Sequence, residues 1–157
     1  MWSRWMFLLG FMFLGCAKKE QEVVVFLYLE PSKGVDIQMF YSDSFLKQFS
    51  EKQSSHFYVE ANTPTESVFK INSLQKVKRL RFDFNTDEEL TVVIDSMTIV
   101  YNDQTHRLKP AQFKDWLLPN QQANVRFFQE KLIVNTFKTG AIYDPYLITK
   151  NLQKYLD

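Results

Sequence analysis

The sequence predicts an all-β sandwich, on three observations. The dominant hydrophobic period along residues 22–148 is two, the spacing of a half-buried strand. The apolar runs are short, rich in Val, Ile, Phe and Tyr, and separated by polar turns, which gives about eight or nine strands with no alternating helices. At 157 residues, 45% hydrophobic and 24% charged, the chain has enough apolar surface for one packed core and little room for a second. A closed barrel is the alternative arrangement of the same strands.

Each element follows from its pattern. Residues 22–29 (EVVVFLYL) are a continuous apolar run suited to a strand buried on both faces. Residues 31–34 (PSKG) are a turn. Residues 35–41 alternate, with Val35, Ile37, Met39 and Tyr41 on one face and Asp36, Gln38 and Phe40 on the other. The polar stretch 42–55, anchored by Phe45 and Phe49, is a long loop or a one-turn helix. Residues 56–60 and 66–71 are short strands around the turn 62–65. Residues 77–84 alternate again, with Leu80, Phe82 and Phe84 inward and Arg79, Arg81 and Asp83 outward.

Residues 90–101 form the longest strand, and the pattern changes phase within it. Leu90, Val92 and Ile94 share one parity; Met97, Ile99 and Tyr101 share the other. A one-residue β-bulge at Asp95-Ser96 would return both sets to the core. Residues 111–118 place Phe113, Trp116 and Leu117 at helical spacing before Pro119, a short helix ahead of the last strands. Residues 125–128, 132–137 and 143–148 resume strand chemistry. Ile148, Leu152, Tyr155 and Leu156 fall on one helical face, which predicts a short amphipathic C-terminal helix.

The N-terminus reads as an address. Arg4 is the only charge before an apolar run that is too short to span a bilayer and suits the core of a secretory signal. The run ends in Phe13-Leu14-Gly15-Cys16, which resembles a bacterial lipobox. The resemblance implies a signal peptide over residues 1–15, cleaved before Cys16, with diacylglycerol on that thiol and an acyl chain (palmitate or similar) on the new amino group. Cys16 is the single cysteine of the chain, so no internal disulfide competes for it. Ala17 after the cysteine resembles outer-membrane lipoproteins more than those retained at the inner membrane. Residues 16–21 then form a short polar tether and residues 22–157 the single domain. Removing residues 1–15 removes Arg4, leaving 18 basic and 18 acidic residues.

Four segments occur in an order that resembles a β-sandwich module of bacterial cell-surface polysaccharide-synthesis membrane proteins and glycosyltransferases. They are residues 35–45 (VDIQMFYSDSF), 77–83 (VKRLRFD), 93–99 (VIDSMTI) and 137–148 (FKTGAIYDPYLI). The family resembles galactose-binding-like jelly rolls, which implies contact with carbohydrate or glycolipid. The chain departs from that pattern at Phe84-Asn85-Thr86-Asp87, where the module carries proline and glycines. It departs again at Ala141-Ile142-Tyr143, which stretches the Gly-Asp-Pro-Tyr spacing.

Several chemistries are excluded. Past residue 15 only Gly34 and Gly140 remain, so phosphate loops, dinucleotide loops and the nucleophile elbow have no glycines to build on. A net charge of +1 gives no field for nucleic acid. His56 and His106 lie fifty residues apart and carry no zinc spacing. Asp83, Asn85 and Asp87 make a D-x-N-x-D run, but Glu88 and Ile94 stand where an EF-hand needs glycine and glutamate. A simpler structural calcium loop and a solvated turn are the two remaining readings of that run.

Binding residues are sought among tyrosines beside turns, since a tyrosine offers a flat apolar face and a hydroxyl. Tyr41 and Asp43 stand two apart, as do Asp144 and Tyr146, so each pair can offer a stacking face and an acceptor. The other reading is core packing, with the aspartates capping turns. Tyr58 and Tyr143 are further tyrosines of this kind. The expectation is a lipid-anchored, non-enzymatic envelope module of the outer membrane that contacts polysaccharide or glycolipid and needs no cofactor. The alternative is a structural subunit docking an envelope protein assembly through a sheet edge or the C-terminal helix. Glycan hydrolysis would need two carboxylates about 5–10 Å apart in a cleft.

Overall fold

The computed structural model describes residues 21–45, 48–73, 76–101, 103–152 and 154. The expected signal peptide, Cys16 and all but the last residue of the tether lie outside the described residues.

Among the described residues there are eleven strands: β1 (Gln21–Pro31), β2 (Val35–Ser42), β3 (Ser54–Val59), β4 (Thr65–Ser73), β5 (Arg79–Asn85), β6 (Thr91–Tyr101), β7 (Gln104–Leu108), β8 (Leu117–Pro119), β9 (Ala123–Phe128), β10 (Lys131–Thr136) and β11 (Tyr146–Thr149). They form two antiparallel sheets. One has the order β4-β1-β6-β10-β9 with β7 also on β6; the other has the order β3-β2-β5-β11-β8. The chain crosses between sheets repeatedly, so the fold is an all-β sandwich and not a closed barrel.

The inward parity of each strand makes the core. Val23, Val25, Leu27 and Leu29 from β1 face Ile37 and Met39 from β2 and Leu80, Phe82 and Phe84 from β5, each at most 2% exposed. Burying each such side chain contributes about 1.5–3 kcal/mol. Phe69 of β4 meets Phe57 and Phe82 of the facing sheet edge-to-face, with centroids 6.3 and 6.2 Å apart. These T-shaped contacts let the aromatic rings close that flank of the sandwich.

The phase change in β6 is a bulge at the expected place. Tyr28 pairs with Ser96 and Leu29 with Ile94, so Asp95 has no partner across the ladder. The extra residue flips the parity, and Val92, Ile94, Met97 and Ile99 all reach the core. The bulge also divides the far edge of β6. β10 pairs with residues up to Ile94, and β7 pairs with residues from Met97 to Tyr101. Lys131 of β10 reaches Asp95 at 3.2 Å across this division. The β9–β10 hairpin turns on Gln129 and Glu130, both left-handed (φ 48° and 61°), as a two-residue hairpin requires.

Several expectations need correction. The outward face of β1 is not buried: Val24 and Phe26 are half-buried and Tyr28 is 38% exposed. The stretch 42–55 does hold the expected single helical turn, a 3-10 turn at Glu51–Gln53 capped by the Ser50 hydroxyl, which accepts from Lys52 N. The helix expected over 111–118 is only Pro110–Phe113, α1. Pro110 suits its first turn, and Gln112 Oε1 accepts from Lys109 N. Beyond it the chain goes over to sheet pairing: Trp116 O accepts from Lys150 N and β8 pairs with β11. Strand hydrogen bonds there outweigh a helical spacing of only three side chains. Ile148 lies in β11 rather than in a C-terminal helix, because its strand pairs with both β5 and β8. Leu152 is buried, and residues 153 and 155–157 lie outside the described residues. β7, too polar to read as a strand, forms by pairing with β6.

The registers define two ends of the sandwich. The start of β1 lies beside the ends of β4 and β6, and the end of β2 beside the start of β5. Lys78 N donates to Ser42 O at 2.8 Å, and the Tyr41 hydroxyl donates to Asn72 O at 3.3 Å. The opposite end carries the turn after β1, residues 86–90 and the segment 137–145.

Candidate functional site

The outward face of the sheet centred on β5 concentrates the polar chemistry of the domain. Register aligns Gln38, Asp83 and Tyr146 in one row across β2, β5 and β11, and Phe40, Arg81 and Ile148 in the next. Alternation alone sends Arg81 and Asp83 outward together. Because β5 is flanked on both sides, Asp83 is nonetheless only 5% exposed. A buried charge must be paired, and Arg81 supplies the partner. Its Nε donates to Asp83 Oδ1 at 2.6 Å, and its Nη2 reaches both Asp83 and, at 3.2 Å, Asp144 Oδ2. The guanidinium lies 3.9 Å from the Tyr146 ring centroid and 5.5 Å from that of Phe40. Two aromatic rings and two carboxylates therefore hold one arginine.

Burial raises the Asp83 carboxyl to about 6, against the lowering effect of the Arg81 hydrogen bond and charge, with Asp144 and Glu51 adding to the rise. Arg81 is itself raised by its bonds to Asp83 and by Asp144, which outweigh its own desolvation. At neutral pH both groups are charged. Next in the row, Gln38 Nε2 donates to Glu51 Oε2 at 2.6 Å and to Ser54 Oγ at 3.0 Å. Further along, Asp36 Oδ2 meets His56 Nδ1 at 2.9 Å and accepts from Asn85 Nδ2 at 3.3 Å.

At the end of this face, Asp144 and Tyr146 line an open depression of about 630 Å3 with Asn120, Gln121, Thr139 and Ile142. Its walls are held by two amides. Gln122 Nε2 donates to Thr139 O at 2.9 Å and Ile142 O at 2.6 Å, while its Oε1 accepts from Asp144 N. Asn120 Nδ2 donates to Asp144 O at 2.7 Å, and its Oδ1 accepts from Gln122 N and Tyr146 N. Tyr143 is anchored behind them, its hydroxyl bonded to Thr136 Oγ1 and Glu88 O. Burial raises that hydroxyl further above its ordinary value. With these amides and Tyr143 engaged internally, the lining that remains to face a ligand is the Asp144 carboxylate, paired on one side with Arg81, together with Pro119, Gln121, Thr139, Ile142 and Tyr146. No lysine, arginine or histidine lines this depression.

The four sequence-chosen residues are not brought to one place. Asp144 and Tyr146 come together through Arg81. Tyr41 lies opposite Leu80 on the inward parity, packs against the core and belongs to the other end of the sandwich. Asp43 follows the end of β2, also at that other end. β5 stands between the two segments, and the two tyrosines sit on opposite faces of the sheet. Tyr58 is well exposed on the outward face, beside Asp36 across the ladder.

Arg81, Phe40 and Gln38 were missed as site residues. The signal for Arg81 was an arginine and an aspartate two apart on a strand whose neighbours cover both sides. The D-x-N-x-D run is not a loop: Asp83 and Asn85 lie in β5, and the Asp83 oxygens are committed to Arg81. Among the described residues no group of three or more His, Cys, Asp or Glu side chains could hold a metal ion. Asp83 and Asp144 are close, but the Arg81 guanidinium lies between them, where a glycosidase would need the scissile oxygen. Among the described residues no helix is long and apolar enough to cross a membrane. Comparison with known protein families, with curated proteins and with solved structures finds no match to this chain.

Proposed function

We propose that this protein is a lipid-anchored accessory module of the bacterial envelope that binds a glycan without transforming it. The observation that carries the reading is the Tyr146–Asp144 edge of the depression. An aromatic ring backed by a guanidinium stands beside a carboxylate on a wall of internally bonded amides. A rigid aromatic with a neighbouring acceptor suits a sugar ring, whose C–H face stacks and whose rim hydroxyls donate. The exposed carboxylate and the absence of a cation in the lining favour a neutral or amino sugar over a uronate or a phosphate.

Titration of the acylated protein in detergent with neutral and acidic envelope glycans tests this. Binding of the neutral glycans should weaken about tenfold in Asp144→Ala, the scale of losing one good hydrogen bond to a charged group. Unchanged binding in folded Asp144→Ala and Tyr146→Ala variants would place the site elsewhere.

A second reading is favoured by one observation. The edge strand β9 ends in Phe127 and Phe128, 44% and 57% exposed. An edge strand carrying apolar side chains suits strand addition by a protein partner. Absence of binding to any glycan would favour this docking role.

A further inference from the structure

The end of the sandwich from which β1 emerges carries an aromatic and basic patch that the glycan reading does not use. β2 ends at Ser42, and the chain then presents Phe45, 45% exposed. Lys78 Nζ lies 5.5 Å and Arg79 Cζ 5.9 Å from the Phe45 ring centroid. Arg79 also lies 5.1 Å from the ring of Phe49, and Lys76 is exposed beside them in sequence. The same end receives the start of β1, since Gln21 pairs with Ser73 just before the connection to β5.

We propose that this end lies against an anionic phospholipid surface, with Phe45 seated at the interface and Lys76 and Lys78 over the headgroups. The inference rests on the reading of Cys16 as the lipidated residue. Four residues separate Cys16 from Gln21, so the start of β1 stays within about 17 Å of the Cys16 backbone even at full extension of those five steps. Aromatic rings bracketed by lysine and arginine settle at the headgroup level, the ring in the apolar boundary and the cations on phosphate. Glu22 and Asp103 are exposed at this end, the half-buried Asp43 stands two residues before Phe45, and Glu20 precedes β1 in sequence, so the patch is too nearly balanced to hold a bilayer by itself. The acyl chains supply the affinity and the patch sets the orientation. The Asp144–Tyr146 depression then stands off the bilayer, since Tyr146 pairs with Asp83, four residues or about 13 Å along β5 from Arg79.

The test uses the full chain, acylated by its host and reconstituted into vesicles of phosphatidylcholine, with and without phosphatidylglycerol, carrying brominated acyl chains. After removal of residues 1–15 the sole remaining tryptophan is Trp116, fully buried, so its emission reports folding. Phe45→Trp adds a reporter at the proposed contact, and Ile142→Trp, at 78% exposure, one at the far end. Quenching of Phe45→Trp should exceed that of Ile142→Trp by at least about twofold, as expected for a ring at the interface against one in water. Lys76→Glu with Lys78→Glu should remove the extra quenching in anionic vesicles while flotation persists. Equal quenching at the two positions in a protein that floats and carries acyl mass on Cys16 overturns the orientation alone. No acyl mass and no flotation overturn the anchoring and the orientation together.

Discussion

The two outward faces of the sandwich are built from the same period-two alternation and end up chemically opposite. On the sheet centred on β1 and β6, the outward positions include Val24, Phe26, Val68, Val93, Val100 and Ile133, all half-buried, with Tyr28 more exposed and Glu66, Lys70, Thr98 and Arg126 beside them in the ladder rows. On the sheet centred on β5 they include Arg81, Asp83, Gln38 and Phe40, of which Asp83, Gln38 and Phe40 are buried. An all-apolar strand is thus left partly in solvent, while a charged pair is taken out of it. Parity decides which way a side chain points, and neighbouring strands and side chains decide how much water it keeps. On the apolar face, cross-strand packing such as Phe26 beside Val68 and Thr98 stabilises the sheet. On the polar face each charge depends on a specific partner, so that face is rigid where it is paired and costly where it is broken.

That contrast is broken most severely by removing Arg81. Arg81→Ala leaves a buried carboxylate unpaired and should cost about 3 kcal/mol at pH 7.5 in denaturant unfolding. It also removes the support under Tyr146, so any glycan affinity should fall with it. Measured at pH 4.5, where Asp83 is protonated, the same substitution should cost much less. Equal losses at both pH values would mean that packing against Phe40 and Tyr146, and not charge pairing, is what Arg81 provides.

The next effect is the pH dependence of the parent protein. The Asp83 carboxyl titrates near 6 when folded against 3.8 when free, so between these values the folded state holds more protons than the unfolded. Stability contributed by this group therefore falls as pH rises from about 4 to about 6, by about 2–3 kcal/mol in all. Asp83→Asn should abolish that slope. Glu88 acts in the opposite sense and in a lower window. The Lys33 ion pair holds it below the usual carboxylate range, so its stabilisation is lost only as pH falls further. A slope of unchanged size in Asp83→Asn would assign it to another group.

The smallest effect belongs to the apolar face. Phe26→Thr puts a β-branched residue of good strand propensity in a central strand and removes a ring that is already partly in water. A cost of about 1 kcal/mol is expected, with no pH dependence between pH 4.5 and 7.5. A loss as large as that of Arg81→Ala would mean that this face is covered, as it would be by a bound partner.

Much was legible in the residues themselves. The alternation at 35–41 and 77–84, and the parity reversal at Asp95-Ser96, are local patterns. Local sterics and apolar spacing suffice to assign them to strands, a face and a bulge. The resemblance to a lipobox is a local pattern as well, and it falls outside the described residues. Within the candidate site, the pairing of Asp144 with Tyr146 on one edge was readable from their spacing. The remainder depends on neighbours that sequence order does not name. β7 is a strand because β6 offers it an edge, and residues 117–119 are extended because β11 pairs with them. Tyr41 turns inward while Tyr146 faces out, because the register across β5 sets them on opposite sides. Arg81 becomes the centre of the site only when β2 and β11 flank β5 and leave Asp83 without water. A short pattern carries direction and propensity, which are set by bonds within a few residues. Burial, charge pairing and the shape of a depression arise from contacts between segments tens of residues apart, and only the assembled sheets decide those.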